Sequence, residues 1–385
     1  MKAIGFIPIR KGSKGILNKN KKKMVGRPLF CWVLKEAIFS KLDEVYVFTD
    51  DTSVVSFIEK EYHWTDKVHV ILRGSKNADD SASTESAMIE FSKLIDYKFD
   101  ILCLLQATSP LTVSKDINNC IDKIENELYD AALTVVNSHR FIWNSHGEPI
   151  NYNLFKRPRR QDFEGLLIEN GAVYCTTKKA FIESNNRISG NIGTVEMSEE
   201  SLTEIDSLKD WVIVEQLLIQ RLKEKRAPKP ITHFVLDVDG VFTKGTISYT
   251  AEGEHTKTFD MRDGMGLEIL RQESVKVMVM TSENSPLVAA RMKKLNIEDV
   301  FLGVKDKYAF LADLREKRNL NLEEIAYIGD DVNDLANLCS VGWSFVPGNG
   351  TEHVKPFADV LLKSNSGEGA IREACEWISN YNKRF

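Results

Sequence analysis

Short apolar runs alternate with segments of helical period along the whole chain. Ala3–Ile9 reads as a buried strand. Leu29–Phe39 places apolar residues at 29, 30, 33, 34, 37 and 38, the spacing of a helix with one buried face. Val45–Phe48 reads as a strand, and Thr49-Asp50-Asp51-Thr52 after it as a helix cap. Strands follow at Ile101–Leu105, Ala131–Val136 and Ala172–Tyr174, with a helix at Asp116–Glu127. This alternation predicts a largely parallel sheet with helices on both faces. A helix over Asp206–Lys223 closes the series. The charged segment Lys223–Pro230, with two prolines, then marks a domain boundary. A second series begins with strand Phe234–Val238, a hairpin around Thr243–Phe259, helix Gly266–Gln272, strand Val275–Met280 and helix Pro286–Leu295. It ends with strand Ile325–Ile328 and helices Val332–Leu338 and Gly369–Asn380. The expected fold class is therefore α/β, as two open α/β domains over 1–228 and 231–385.

Composition narrows the function. The 385 residues suffice for two domains, each with its own core. The net charge of −5 argues against nucleic acid as a partner. No run of about eighteen apolar residues exists, so no membrane span is expected. The opening MKAIGFIPIR meets charge too soon for a signal peptide. Cysteines 31, 103, 120, 175, 339 and 375 form no CxxC pair, which points to reduced thiols in a cytoplasmic protein rather than a disulfide or zinc framework. The seven histidines form no metal-binding spacing and are read as unspecialised.

Two segments carry chemistry, each directly after a predicted buried strand. The first is Arg10-Lys11-Gly12-Ser13-Lys14-Gly15, followed by Lys19-Asn20. Gly12 and Gly15 let the backbone approach a phosphate, and Arg10, Lys14 and Lys19 offset its charge. The Walker spacing is absent, so the loop is not that of a P-loop enzyme. The Lys19–Lys23 run belongs to this loop better than to a nuclear signal. The second segment is Asp237-Val238-Asp239-Gly240. Two acids at the end of a buried strand are costly unless they serve a metal or catalysis. Thr281, Lys307 and Gly329-Asp330-Asp331-x-x-Asp334 also fall at predicted carboxyl ends of strands, so the four groups converge.

The first half resembles the CMP-sialic acid synthetases, the N-acylneuraminate cytidylyltransferases. The resemblance rests on the opening loop, on Leu104-Leu105-Gln106-Ala107-Thr108-Ser109-Pro110-Leu111, on Arg160-Gln161-Asp162 before Glu169-Asn170-Gly171-Ala172-Val173-Tyr174, and on Glu204-Ile205-Asp206 before Asp210-Trp211. It implies a nucleotide-diphospho-sugar transferase-like sheet. It further implies that Arg10, Gly12, Ser13, Lys14, Lys19, Asn20, Arg73, Asp80 and Ser81 bind CTP, with Arg10 and Lys19 supporting catalysis. By the same resemblance Gln106, Ser109, Arg160, Glu169 and Asn170 meet the sugar acid, and Glu204 and Asp206 hold Mg2+. Two carboxylates two residues apart on an extended segment face the same way, as paired ligands require. Lys11, Ala107, Thr112 and Glu204 depart from the family pattern. The loss of a basic residue at 112 leaves the sugar open, and Glu204 keeps the charge of the family's first metal aspartate with one methylene more. The implied reaction is attack of an anomeric hydroxyl on the α-phosphorus of CTP.

The second half resembles the haloacid dehalogenase superfamily, as a Rossmannoid domain without a large cap. The resemblance implies Asp237 as nucleophile, Asp239 as general acid then base, and Thr281 and Lys307 on the phosphoryl group. Mg2+ is implied at Asp237, Asp239, Asp330 and Asp331, with Asp334 close by. The stretch Thr243–Asp263 is similar to the hairpin of cap-less phosphatases acting on 3-deoxy sugar-acid phosphates, which form tetramers. Glu283, with Arg291, looks more like the branch acting on nine-carbon acids. Two other readings stay open: an eight-carbon, KDO-type pair of activities, and a C-terminal half that serves tetramerisation alone.

Overall fold

The computed structural model describes residues 1–12, 15–74, 83–224, 227–251 and 253–385. Ser13, Lys14, Asp80 and Ser81 lie outside the described residues. The chain divides into two compact units. One holds Met1–Met24 and Pro28–Leu217, the other Val25–Arg27 and Leu218–Phe385.

In the first unit, β1 (Ala3–Ile9), β2 (Glu44–Thr49), β3 (Val68–Leu72), β4 (Ile101–Leu105), β5 (Ala131–Ser138), β6 (Leu166–Thr177) and β7 (Ile192–Met197) form one sheet of order β3-β2-β1-β4-β6-β5-β7. β1 pairs in parallel with β2 and with β4, which explains why its run is apolar without alternation. The sheet is mixed, because β6 runs antiparallel to both β4 and β5. The expected strand Ala172–Tyr174 is the middle of this twelve-residue element. Helices α1 (Phe30–Ile38), α2 (Thr52–Glu61), α3 (Thr84–Leu94), α4 (Ser114–Glu125) and α5 (Lys178–Ser184) connect and cover it, and α6 (Leu208–Leu222) belongs to this unit up to Leu217. Asp51 caps α2 by accepting from Ser53 N, as the TDDT segment suggested. Phe6, Phe48 and Phe91 pack together in the core with α3. Strand order reverses between β1 and β4, so the loops after these two strands flank the crevice where open sheets bind ligands.

In the second unit, β8 (His233–Leu236), β11 (Lys276–Met280), β12 (Asp299–Phe301), β13 (Ile325–Ile328), β14 (Trp343–Val346) and β15 (Val360–Leu361) form a parallel sheet of order β12-β11-β8-β13-β14-β15. A separate hairpin pairs β9 (Ser248–Thr250) with β10 (Gly253–Thr256). Helices α7 (Met261–Gln272), α8 (Pro286–Lys294), α9 (Lys307–Arg318), α10 (Leu335–Ser340) and α11 (Ala370–Asn382) complete the unit. The expected helix Val332–Leu338 is instead a tight turn, Val332–Asp334, leading into α10. Strand order reverses between β8 and β13. Asp237 follows the first of these and Gly329–Asp334 the second, which puts the acids at one crevice.

Candidate active sites

In the second unit the acids meet. Asp237 is 4% exposed just past β8. Lys307, at the start of α9 and 1% exposed, places Nζ 2.8 Å from Asp237 Oδ1 and 2.7 Å from Asp334 Oδ1. Tyr327 donates its hydroxyl to Asp334 Oδ1 at 2.6 Å, and Asp330 N donates to Asp334 Oδ2 at 3.3 Å. One carboxylate oxygen each of Asp237, Asp330 and Asp334 lies within 4.8 Å of the others. Gly240 has φ +84°, and a Cβ there would stand 1.9 Å from Asp330 Oδ2. The DxDG glycine is thus required both by its turn and by the carboxylate beside it. Thr281 is buried at the end of β11, where its hydroxyl accepts from Glu283 N at 3.4 Å.

Electrostatics follow from this crowding. Burial raises the Asp237 carboxyl, and neighbouring Asp334 raises it further, against the pull of Lys307. Burial pushes Asp330 up to about 8, with Asp334 and Asp237 adding to it. Burial opposes charge on Lys307, but Asp237 and Asp334 outweigh it and hold the ammonium above its usual value. Carboxylates that cannot all ionise unaided, with hard oxygen donors converging, fit a divalent cation such as Mg2+.

Two expected ligands are placed differently. Asp331 is exposed, and its side chain turns to Val332 N and Thr351. Asp239 is engaged by Lys257, whose fully buried Nζ sits 2.7 and 2.9 Å from its two oxygens. Asp334 converges with Asp237 and Asp330 in their stead. Glu283 is exposed, and Arg291 lies over Phe259 and donates to Asp260 O, so neither joins the cluster.

In the first unit the loop after β1 reaches the expected metal segment. Lys19 donates to Ile205 O at 2.6 Å and lies 3.4 Å from Asp206 Oδ1. A Cβ at Gly15 would stand 2.3 Å from Asp206 O, so glycine is what lets the two segments touch. Gly12 has φ +82° in the same loop, and Asn20 lies close by with a buried Oδ1 that has no partner among the described residues. Arg73 packs over Phe48; burial lowers its pKa, and its charged neighbours are Glu90, Asp50 and Arg10. Arg10 and Arg73 therefore share one neighbourhood. Gln106 and Ser109 follow β4, with Gln106 N bonded to Ala172 O beside Glu169 and Tyr174 on β6. Burial and the Glu169 carboxylate that its hydroxyl meets at 3.0 Å push Tyr174 up to about 12, and Glu204 adds to the effect.

Two of the expected sugar-binding residues, and the departing position 112, lie in distinct surroundings. Asn170 is buried, accepts from Thr134 Oγ1 at 2.7 Å and donates to Ser201 Oγ at 3.0 Å. Its amide is engaged inside the fold and braces the turn before Glu204. Thr112 is 1% exposed and belongs to the interior. Arg160 sits in an exposed turn, Arg160–Asp162, and makes no hydrogen bond or ion pair among the described residues.

A family model described as cytidylyltransferase matches residues 4–230. N-acylneuraminate cytidylyltransferase B of Danio rerio is 32% identical across 98% of this chain and 90% of its own length. The chain belongs to the cytidylyltransferase family. A second cytidylyltransferase of Danio rerio, form A, is 31% identical across 98% of the chain. The second unit matches a haloacid dehalogenase-like hydrolase model over residues 269–374. It is also similar to the 3-deoxy-D-manno-octulosonate 8-phosphate phosphatase of Haemophilus influenzae, 36% identical over 38% of this chain and 82% of that protein. The hydrolase match begins after Asp237 and Asp239, so the geometry, not the family model, joins Asp237 to Lys307 and Asp330.

Several residues of this cytidylyltransferase escaped the sequence reading. Arg187 pairs with Glu85 at 2.5 Å and lies over the Tyr174 ring, which ties α3 and the loop after α5 to the Glu169 side of the crevice. Lys257 and Tyr327 sit in stretches that read as hairpin and as apolar core. Their only sequence signal is a charge or hydroxyl where burial is expected.

Proposed function

We propose that the cytidylyltransferase unit transfers CMP from CTP to a nine-carbon 2-keto-3-deoxy sugar acid of the N-acylneuraminate or KDN type, releasing pyrophosphate. The hydrolase unit removes phosphate from the 9-phosphate of the same class of acid. The chain is bifunctional, a CMP-sugar synthetase and a sugar-phosphate phosphatase in one polypeptide. The observation that carries the phosphatase half is the buried chain Asp237–Lys307–Asp334 beside Asp330.

For hydrolysis, an Asp237 oxygen forms a bond to phosphorus as the bond to the sugar oxygen breaks. That oxygen takes a proton from Asp239. Water then gives a proton to Asp239 and attacks phosphorus, releasing phosphate and the Asp237 carboxylate. Lys307 and Thr281 meet the phosphoryl oxygens, while Lys257 fixes Asp239. Mg2+ held at Asp237 and Asp330 supplies charge neutralisation between the carboxylate and the phosphate dianion. For CMP transfer, Arg10, Lys19, Asn20 and Arg73 bind the nucleotide, Gln106, Ser109 and Glu169 the sugar acid, and Glu204 and Asp206 a second Mg2+. The two activities divide near 228–231, and the protein works in the cytoplasm as a homotetramer.

A second reading, an eight-carbon KDO-type pair, draws on the 36% identity to the octulosonate 8-phosphate phosphatase. Substrate profiling separates the two. The favoured reading expects faster phosphate release from nine-carbon 9-phosphates than from KDO 8-phosphate, and CMP transfer to the matching acid. Preference for both eight-carbon substrates overturns it.

A further inference from the structure

We propose that Tyr327 is a positioning residue of the phosphatase, fixing Asp334 so that Lys307 stays shared with the nucleophile Asp237. The inference rests on the phosphatase site described above. Tyr327 is fully buried on β13, in register with Val235 of the central strand. Its neighbours Ile325, Ala326 and Ile328 are core residues. A phenylalanine would fill the same volume, so packing alone does not call for the hydroxyl. That hydroxyl needs a partner once buried, and its partner is the carboxylate that holds the catalytic lysine.

The geometry forms one linear chain. Tyr327 donates to Asp334 Oδ1 at 2.6 Å, Lys307 donates to the same oxygen at 2.7 Å, and Lys307 reaches Asp237 Oδ1 at 2.8 Å. Asp334 Oδ2 accepts from Asp330 N. Both oxygens of Asp334 thus have donors, which makes it a bracket for Lys307. The lysine backbone is fixed at the start of α9, where Asp306 accepts from Ala309 N. The long side chain leaves its tip to be set by the two carboxylates. With the tyrosine O–H donating to Asp334, part of that charge is already satisfied, and Lys307 is not drawn away from Asp237. Without it, Asp334 competes harder for the ammonium. Lys307 then follows charge onto the phosphoryl oxygens less well, and that loss falls on the transition state.

The test uses the full chain carrying Tyr327→Phe. The expected result is a fall in phosphatase kcat of about 10- to 100-fold with KM changed by less than about twofold. Inhibition by orthovanadate, a transition-state mimic, weakens by a similar factor, while inhibition by inorganic phosphate stays nearly unchanged. CMP transfer by the same protein is unaffected. In the background of Asp334→Asn, adding Tyr327→Phe costs nothing further, because the hydroxyl acts through that carboxylate. A wild-type kcat overturns the inference. So does equal weakening of vanadate and phosphate together with a lower Tm, which would mean a packing role only. An additive loss in the double variant also overturns it. Asp237→Asn separates the two levels. If that variant hydrolyses normally, the site reading itself fails; if it is inactive while Tyr327→Phe is normal, only the role of Tyr327 fails.

Discussion

Replacing Lys307 by methionine tests whether the second unit is built around one shared cation. Its Nζ lies 2.8 Å from Asp237 and 2.7 Å from Asp334, and the lysine is 1% exposed. At an effective dielectric constant of about 20, each contact is worth about 6 kcal/mol of attraction. Burying the ammonium offsets several kcal/mol of this for each ion, so deleting one partner leaves a net loss of about 3–5 kcal/mol. For a unit of this size that lowers Tm by about 6–20 °C. The loss must depend on pH. Asp237 and Asp330 already have raised pKa values, and without Lys307 they rise further. In acid they are neutral, and the missing cation matters less. Differential scanning calorimetry of wild type and Lys307→Met, both metal-free, should show the full gap at about pH 8 and a much smaller one at about pH 5. Phosphatase kcat should fall at least about 100-fold. A gap below about 2 °C at the higher pH, or an equal gap at both, would refute the reasoning.

Further expectations follow from the same geometry. Asp330 titrates near 8 in the folded metal-free protein against an ordinary value of 3.8, so the folded form binds more protons between these values and loses stability as pH rises. Mg2+ should therefore raise Tm more at about pH 8 than at about pH 5; a thermal-shift titration with the opposite order would contradict this. Gly240→Ala should abolish phosphate release, since its Cβ would overlap the Asp330 carboxylate, while CMP transfer persists. Loss of both activities would point to global unfolding instead. Arg187→Ala should raise KM for the sugar acid about tenfold with little change in KM for CTP, as steady-state kinetics in the two substrates will read; the reverse split would move Arg187 to the nucleotide side.

Much of this was legible because the relevant segments are dictated by backbone chemistry. A continuous apolar run at Ala3–Ile9 announces a central parallel strand, and acids directly after Phe234–Leu236 announce a catalytic strand end. Both expectations rest on positions where solvent exclusion leaves few alternatives. Strand direction was not legible in the same way. β6 is antiparallel because the chain makes an excursion over 139–165 before returning, and no residue in Leu166–Thr177 encodes that. Val68–Leu72 reads VHVIL, an apolar β-forming run as plain as those of the other strands, yet its side chains are only partly buried because it lies at the sheet edge. Within the sites, motif position said that Asp330, Asp331 and Asp334 were close, but only side-chain direction distinguishes Asp331, turned to Val332 and Thr351, from Asp334 in the cluster. Lys257 acts on Asp239, 18 residues before it, and Tyr327 on Asp334, 7 residues after it; neither spacing is a motif, so only a charge or a hydroxyl where burial is expected marks them.

The most direct measurement supplies the full chain with CTP, Mg2+ and a nine-carbon sugar-acid 9-phosphate, and follows phosphate and CMP-sugar together. The expected result is that wild type releases both products. Asp237→Asn should release neither, yet form CMP-sugar at the normal rate from the dephosphorylated acid, while Asp206→Asn should release phosphate alone. Equal phosphate release by wild type and Asp237→Asn, or failure of Asp237→Asn to form CMP-sugar from the dephosphorylated acid, would contradict two separate catalytic centres in one chain.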